Sequence, residues 1–113
     1  MPWIYSHTGS PCVTKKLEIY FTARDKNNIS RIGKGKLRLG PTPLVKDITQ
    51  SPILNLGDQG SFDCNGTSYP AVVDDFLYYT GWFPGTNTPF VNNLGLAKLE
   101  NNIATRISRA PIL

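Results

Sequence analysis

Apolar and polar residues alternate along this chain in short runs. In "KLEIYFTA" (16–23), Leu17, Ile19 and Phe21 interleave with Glu18, Tyr20 and Thr22. That period of two is the signature of a strand with one buried face. "DFLYYTGW" (75–82) is a second aromatic run, followed by the loop "FPGTNTP" (83–89). "SPCVTKK" (10–16) and "SYPAVVDD" (68–75) read as short strands closed by polar turns. "SRIGKGKLRL" (30–39) and "NNLGLAKLE" (92–100) read as strands with glycine inside, where the chain bends or another group approaches the backbone closely. No segment sustains the three-and-four spacing of an amphipathic helix with caps. The pattern predicts an all-β fold built of many short strands.

Two of these runs resemble each other, and the likeness extends outward. Pro11 aligns with Pro70, Val13 with Val72 and Tyr20 with Tyr79. After a three-residue shift, Ile32-Gly33 meets Leu94-Gly95 and Lys36-Leu37 meets Lys98-Leu99. The shift is then undone, and "SPIL" (51–54) meets "APIL" (110–113). Pro11 to Pro52 and Pro70 to Pro111 both span 41 residues. The chain therefore reads as an internal repeat, about 1–56 and about 57–113, each of about four strands. A unit of roughly 50 residues with that content is the size of a propeller blade.

In a blade the four strands run up and down in order. The start of the first strand, the end of the second, the start of the third and the linker to the next blade meet at one mouth. Here those places hold His7, Arg24, Asp25, Arg31, Asp63 and Trp82, groups suited to holding a sugar or an anion.

Composition narrows the classes. Hydrophobic residues make up 40% and charged residues 18% of 113, which fits one ordered, fairly polar domain. The net charge is +4, but the basic residues are dispersed and match no nucleic-acid module, so no nucleic-acid partner is expected. No apolar run approaches the roughly 20 residues of a membrane helix, and Met1-Pro2-Trp3-Ile4-Tyr5 does not read as a secretion signal. A cytoplasmic protein without a membrane partner is the expectation. There, the "NIS" (28–30) and "NGT" (65–67) sequons carry little meaning. Cys12 and Cys64 lack metal-site spacing and read as buried thiols; neither a metal nor another cofactor is expected. Gly57, Gly60 and Gly66 lack the ending and the helix of a phosphate-binding loop and read as tight turns.

With those residues in view, the chain resembles the superfamily of five-bladed β-propeller glycosidase-like proteins, which includes arabinanases, invertases and mannoside phosphorylases. The phrases that carry the resemblance are "SHTGSP" (6–11), "YFTARDKNNISRIG" (20–33), "GDQGSFDCNGTSYPAVV" (57–73), "YYTGW" (78–82), "PFVNNLGLA" (89–97) and "SRAPIL" (108–113). It looks closest to a bacterial branch found with surface-polysaccharide genes. The resemblance implies an uncharacterised glycan-related protein with substrate-binding residues at His7, Arg24, Asp25, Arg31 and Trp82. It also implies a catalytic acid at Asp63.

Each of those residues also has a plainer reading. Asp63 can be a channel carboxylate or a turn-stabilising group near Gly66. Glycoside hydrolysis needs two carboxylates, about 5–5.5 Å or about 6.5–9.5 Å apart, and one alone is not an active site. Arg24 and Arg31 can clamp an acidic sugar or pair with Asp25 or Asp63. His7 can donate to a ligand or to a structural partner. Trp82 can stack on a sugar ring or pack at the rim.

Two blades leave apolar faces open, and such faces drive association. The expectation is a head-to-tail ring of copies, with a trimer of six blades favoured over a dimer of four because it departs less from five. The expected function is glycan binding at the channel mouth. The alternatives are a glycosidase or glycan phosphorylase completed by oligomerisation, and a structural or protein-interaction propeller with no small-molecule site.

Overall fold

A computed structural model describes residues 1–113. It contains eight strands: β1 (His7–Val13), β2 (Glu18–Arg24), β3 (Ser30–Arg38), β4 (Leu44–Lys46), β5 (Gly66–Val73), β6 (Phe76–Pro84), β7 (Phe90–Glu100) and β8 (Ile103–Arg106). They form two four-stranded antiparallel sheets, ordered β1-β2-β3-β4 and β5-β6-β7-β8, and there is no helix. The all-β reading and the four-strand unit hold. The fourth strands escaped the pattern because β4 and β8 have only three and four residues, too few to show a period.

The repeat is visible in backbone defects as well as in sequence. The β1–β2 register shifts between Gly9 and Cys12, and the β5–β6 register shifts between Ser68 and Ala71. The intervening Ser10-Pro11 and Tyr69-Pro70 make the two bulges, with φ of 50° at Ser10 and 53° at Tyr69. A bulge tolerates proline because its missing N–H is not needed by the ladder there. The same defect thus recurs 59 positions along the chain.

Register corrects one alignment. Phe21 lies opposite Gly33, and Tyr79 lies opposite Gly95. The structural counterpart of Tyr79 is therefore Phe21, not Tyr20. The β1–β2 turn is one residue longer than the β5–β6 turn: Val13 pairs with Ile19, and Val72 with Leu77. A one-residue slip in a strand exchanges its faces, so the distinction decides which way these side chains point.

The corrected register exposes a shared packing unit. Trp3 stacks on Phe21 with ring centroids 5.9 Å apart, and Phe62 stacks on Tyr79 at 6.1 Å. The Trp3 indole occupies the space a Cβ at Gly33 would need, and the Tyr79 ring does the same at Gly95. Gly33 and Gly95 are thus slots for aromatic rings.

The second sheet packs on the first, with β5 against β1, β2 and β3. One core joins them: Tyr20, Ile32, Ile53 and Leu54 meet Leu77, Tyr79, Ala97 and Ala104. The Tyr69 N–H donates to Thr22 Oγ1 at 3.0 Å, and the Val72 N–H donates to Cys12 Sγ at 3.3 Å. The linker segment "SPIL" runs down β3 after β4 departs. Ile53 N–H donates to the Ile32 carbonyl at 2.9 Å, and Ala104 N–H donates to the Ile53 carbonyl at 2.8 Å. "APIL" repeats this against β7: Ile112 N–H donates to the Leu94 carbonyl, and Leu94 N–H donates to the Leu113 carbonyl, both at 2.8 Å. Burial separates the two copies of the pattern. Tyr20, Ile32, Ile53 and Leu54 are 0–3% exposed, whereas Tyr78, Leu94, Ile112 and Leu113, which hold the same places in the second sheet, are 37–80% exposed. Each fully buried aliphatic side chain contributes about 2 kcal/mol, so the covered face is a principal source of stability.

Candidate functional site

At one edge of the joint between the sheets lies a cleft of about 200 Å³. Its position follows from register. His7 faces Arg24 across β1 and β2, Arg24 faces Ser30 across β2 and β3, and Gly66 faces Trp82 across β5 and β6. His7, Arg24, Ser30 and Gly66 are the terminal residues of their strands and Trp82 lies two residues before the end of β6, so they converge where the first strands begin. The cleft is lined by His7, Arg24 and Ser30 from the first sheet and by Ser68, Tyr69 and Trp82 from the second.

The polar groups here are held but not used up. Arg24 donates one hydrogen bond to Asn28 Oδ1 at 3.2 Å and forms no salt bridge. Its remaining N–H groups form a planar fork suited to a carboxylate, a phosphate or vicinal hydroxyls. His7 Nδ1 shares a 2.6 Å hydrogen bond with Ser6 Oγ. Trp82 Nε1 donates to Ser68 Oγ at 2.5 Å, and its ring meets Phe90 edge-on at 5.3 Å. Those two contacts fix the indole at the cleft wall. No carboxylate lines this cleft.

The remaining candidates are placed elsewhere. Asp25 is a loop anchor: its Oδ1 accepts N–H bonds from Asn27 at 2.8 Å and Ile29 at 3.1 Å, and its Oδ2 pairs with Arg31 at 2.7 Å. Burial opposes the Asp25 charge, but the Ile29 N–H, the Arg31 guanidinium and the Asn27 N–H together outweigh it and hold the carboxyl below its usual range. Arg31 is thus committed to Asp25. The pairing weighed for these two in the sequence is the one formed.

Asp63 is fully buried and lies outside the cleft. Its Oδ2 accepts from Arg106 Nε at 2.7 Å and from the Tyr79 hydroxyl at 2.8 Å, and its Oδ1 accepts from Ser61 Oγ at 3.1 Å. The Tyr79 phenol is pushed far above its ordinary range by burial, reinforced by the Asp63 carboxylate. Arg106 also donates to the Asn55 carbonyl at 2.6 Å. Asp63 therefore ties the inter-sheet loop to β6 and β8 as a strut, and it borders a separate cleft of about 200 Å³ together with Asp58, Arg106 and Arg109. Sequence reasoning passed over Arg106, which stands alone in a four-residue strand. It also passed over Ser68 and Tyr69, although the repeat puts Tyr69 level with Ser10 at the bulge.

No group of three or more His, Cys, Asp or Glu side chains converges as metal ligands, and Cys12 and Cys64 are both free thiols. What the cleft offers is recognition chemistry: one guanidinium, one imidazole, several hydroxyls and an indole.

No family model matches the chain, and no solved structure matches it. It is similar to two uncharacterized proteins of Mycobacterium tuberculosis, MT1551 from strain CDC 1551 / Oshkosh and Rv1502 from strain H37Rv. Each is 36% identical over 109 aligned residues, covering 88% of this chain. The chain spans 36% of the length of those relatives.

Proposed function

We propose that the chain is a glycan-binding module whose two sheets are blades of a glycosidase-like β-propeller, with the cleft at His7, Arg24 and Trp82 as its binding site. One observation carries this reading: an arginine free of any carboxylate and an indole fixed at the wall share a hydroxyl-lined cleft. Sugars are held by that combination, because hydroxyls take fork-like hydrogen bonds while an apolar ring face packs on an aromatic. The absence of a carboxylate from the cleft favours binding over hydrolysis, which needs an acid and a second carboxylate flanking the bond.

The test is a thermal-shift screen of neutral oligosaccharides, uronic-acid oligosaccharides and sugar phosphates. A ligand at 100 times its Kd stabilises by about 2.7 kcal/mol, which such a screen resolves. Wild-type protein responds to at least one class, and Arg24→Gln loses the response to the anionic classes. A flat screen across all three rejects the binding reading and leaves a structural propeller.

A further inference from the structure

We infer that the ligand of this cleft is an acidic sugar residue, its carboxylate or phosphate seated on the Arg24 fork and its ring against Trp82. The inference rests on the glycan-binding reading and names the ligand class that the reading leaves open.

Charge is out of balance at the cleft end of the molecule. Three carboxylates lie at this end: Asp25 in the β2–β3 turn, and Asp58 and Asp63 in the linker before β5. Each already holds an arginine. Asp25 pairs with Arg31 at 2.7 Å, Asp63 with Arg106 at 2.7 Å, and Asp58 with Arg109. Arg24 is the arginine left over. The fifth arginine of the chain, Arg38, closes β3 at the opposite end.

Strand geometry keeps Arg24 apart from its sequence neighbour Asp25. Side chains alternate along β2, so Arg24 shares the face of Tyr20 and Thr22, which meet the second sheet. Arg31 lies opposite Ala23, on the other face, and holds Asp25 there. The Arg24 carbonyl accepts N–H groups from Tyr5 at 2.8 Å and Ser6 at 3.3 Å, which pins the strand end. The Arg24 guanidinium donates to a neutral amide, Asn28 Oδ1 at 3.2 Å, and that bond leaves its charge uncompensated.

The surroundings strengthen its pull on an anion. Ser30 and Ser68 on the cleft walls are 7% and 2% exposed, and the Trp82 indole closes one side. A charge with so little water beside it acts through a lower effective dielectric than at an open surface. A neutral sugar returns neutral hydrogen bonds to Arg24. A carboxylate or phosphate returns charge-assisted ones, roughly twice as strong and bidentate. The net charge of +4 draws anions toward the chain as a whole. The cleft of about 200 Å³ is smaller than the roughly 300–1,000 Å³ that encloses a drug-sized ligand. It therefore seats one sugar residue and leaves the rest of the glycan outside.

Isothermal titration on matched ligand pairs tests this. One pair is a uronic-acid oligosaccharide and its neutral parent; the other is a sugar phosphate and the free sugar. The wild-type chain binds the acidic member of at least one pair roughly tenfold more tightly, or better. The pair that shows the preference tells carboxylate from phosphate. Added salt erodes that preference, because it screens the acidic member alone. Arg24→Gln brings the ratio to about one. Arg38→Gln removes the same charge at the far end and keeps the ratio. Circular dichroism checks that both variants fold, and if Arg24→Gln does not, the salt dependence of the wild-type chain decides. Equal affinities within both pairs, a preference that salt does not erode, or a folded Arg24→Gln that keeps the ratio overturns the inference. Sugars bound without an acidic preference refute the acidic ligand alone and leave the glycan reading standing. No binding by any of the four ligands rejects the glycan reading and this inference with it.

Discussion

Replacing Asp63 by asparagine preserves its shape and removes its charge. In the native protein the carboxylate accepts from Arg106 at 2.7 Å, from the Tyr79 hydroxyl at 2.8 Å and from Ser61 at 3.1 Å. The amide offers one acceptor oxygen and places an N–H₂ against a donor. Breaking a buried ion pair by removing one partner costs about 3–5 kcal/mol. Arg106 keeps 20% of its side chain in contact with water and retains the Asn55 carbonyl at 2.6 Å. The loss therefore falls at the low end, about 3 kcal/mol. At about 4 °C per kcal/mol for a chain of this size, the melting temperature falls by about 12 °C. The measurement is thermal unfolding by circular dichroism, paired with urea unfolding followed by tryptophan fluorescence. The urea midpoint drops while the m-value stays constant. A catalytic carboxylate behaves in the opposite way, since neutralising one usually leaves stability unchanged or improved. A melting temperature within about 2 °C of wild type refutes the strut and returns Asp63 to the list of reactive groups.

Tyr79→Phe removes one hydrogen bond to that carboxylate and costs about 2 kcal/mol at neutral pH, read by urea unfolding. The raised Tyr79 phenol gives this gap a pH dependence. Below 10.0, the ordinary tyrosine value, both folded and unfolded forms hold the proton and the gap is constant. Above 10.0 the unfolded tyrosine ionises first, wild-type stability declines, and the gap to Tyr79→Phe narrows. Gly95→Ala drives a methyl into the Tyr79 ring and costs about 1–3 kcal/mol in the same assay. Thr67→Val stabilises by about 1 kcal/mol, because the Thr67 hydroxyl is buried with no hydrogen-bond partner. The depressed Asp25 carboxyl gives stability that is present above its ordinary value of 3.8 and is lost as pH falls through its lower folded value. Asp25→Asn flattens that acid limb of the stability profile.

The alternating runs of β2 and the glycine-bearing runs of β3 and β7 were legible because period and side-chain size act locally. The repeat was legible because both copies kept their prolines at the same bulge. What sequence could not supply was face. The longer β1–β2 turn moved the true match of Tyr79 from Tyr20 to Phe21, and only pairing register reveals a shift of one. The same gap explains the fate of the site residues. His7 and Arg24 sit at strand ends and Trp82 two residues from one, where topology gathers them, and they do share a cleft. Asp63 lies in the linker, where its direction depends on Phe62 packing over Gly81 and on a distant Arg106. Neither dependence leaves a local trace.

Ile53 belongs to two sheets at once: its N–H is spent on Ile32 and its carbonyl on Ala104. The segment between the repeats is therefore a rivet and not a hinge. The walls bearing Arg24 and Trp82 cannot swing toward each other without tearing backbone hydrogen bonds out of the core. On the proposed glycan-binding reading, a ligand is then chosen by the width of a gap that exists before it arrives. On that reading association is a single encounter step, and selectivity is set by the ligand's dimensions instead of by a clamp that adjusts to it.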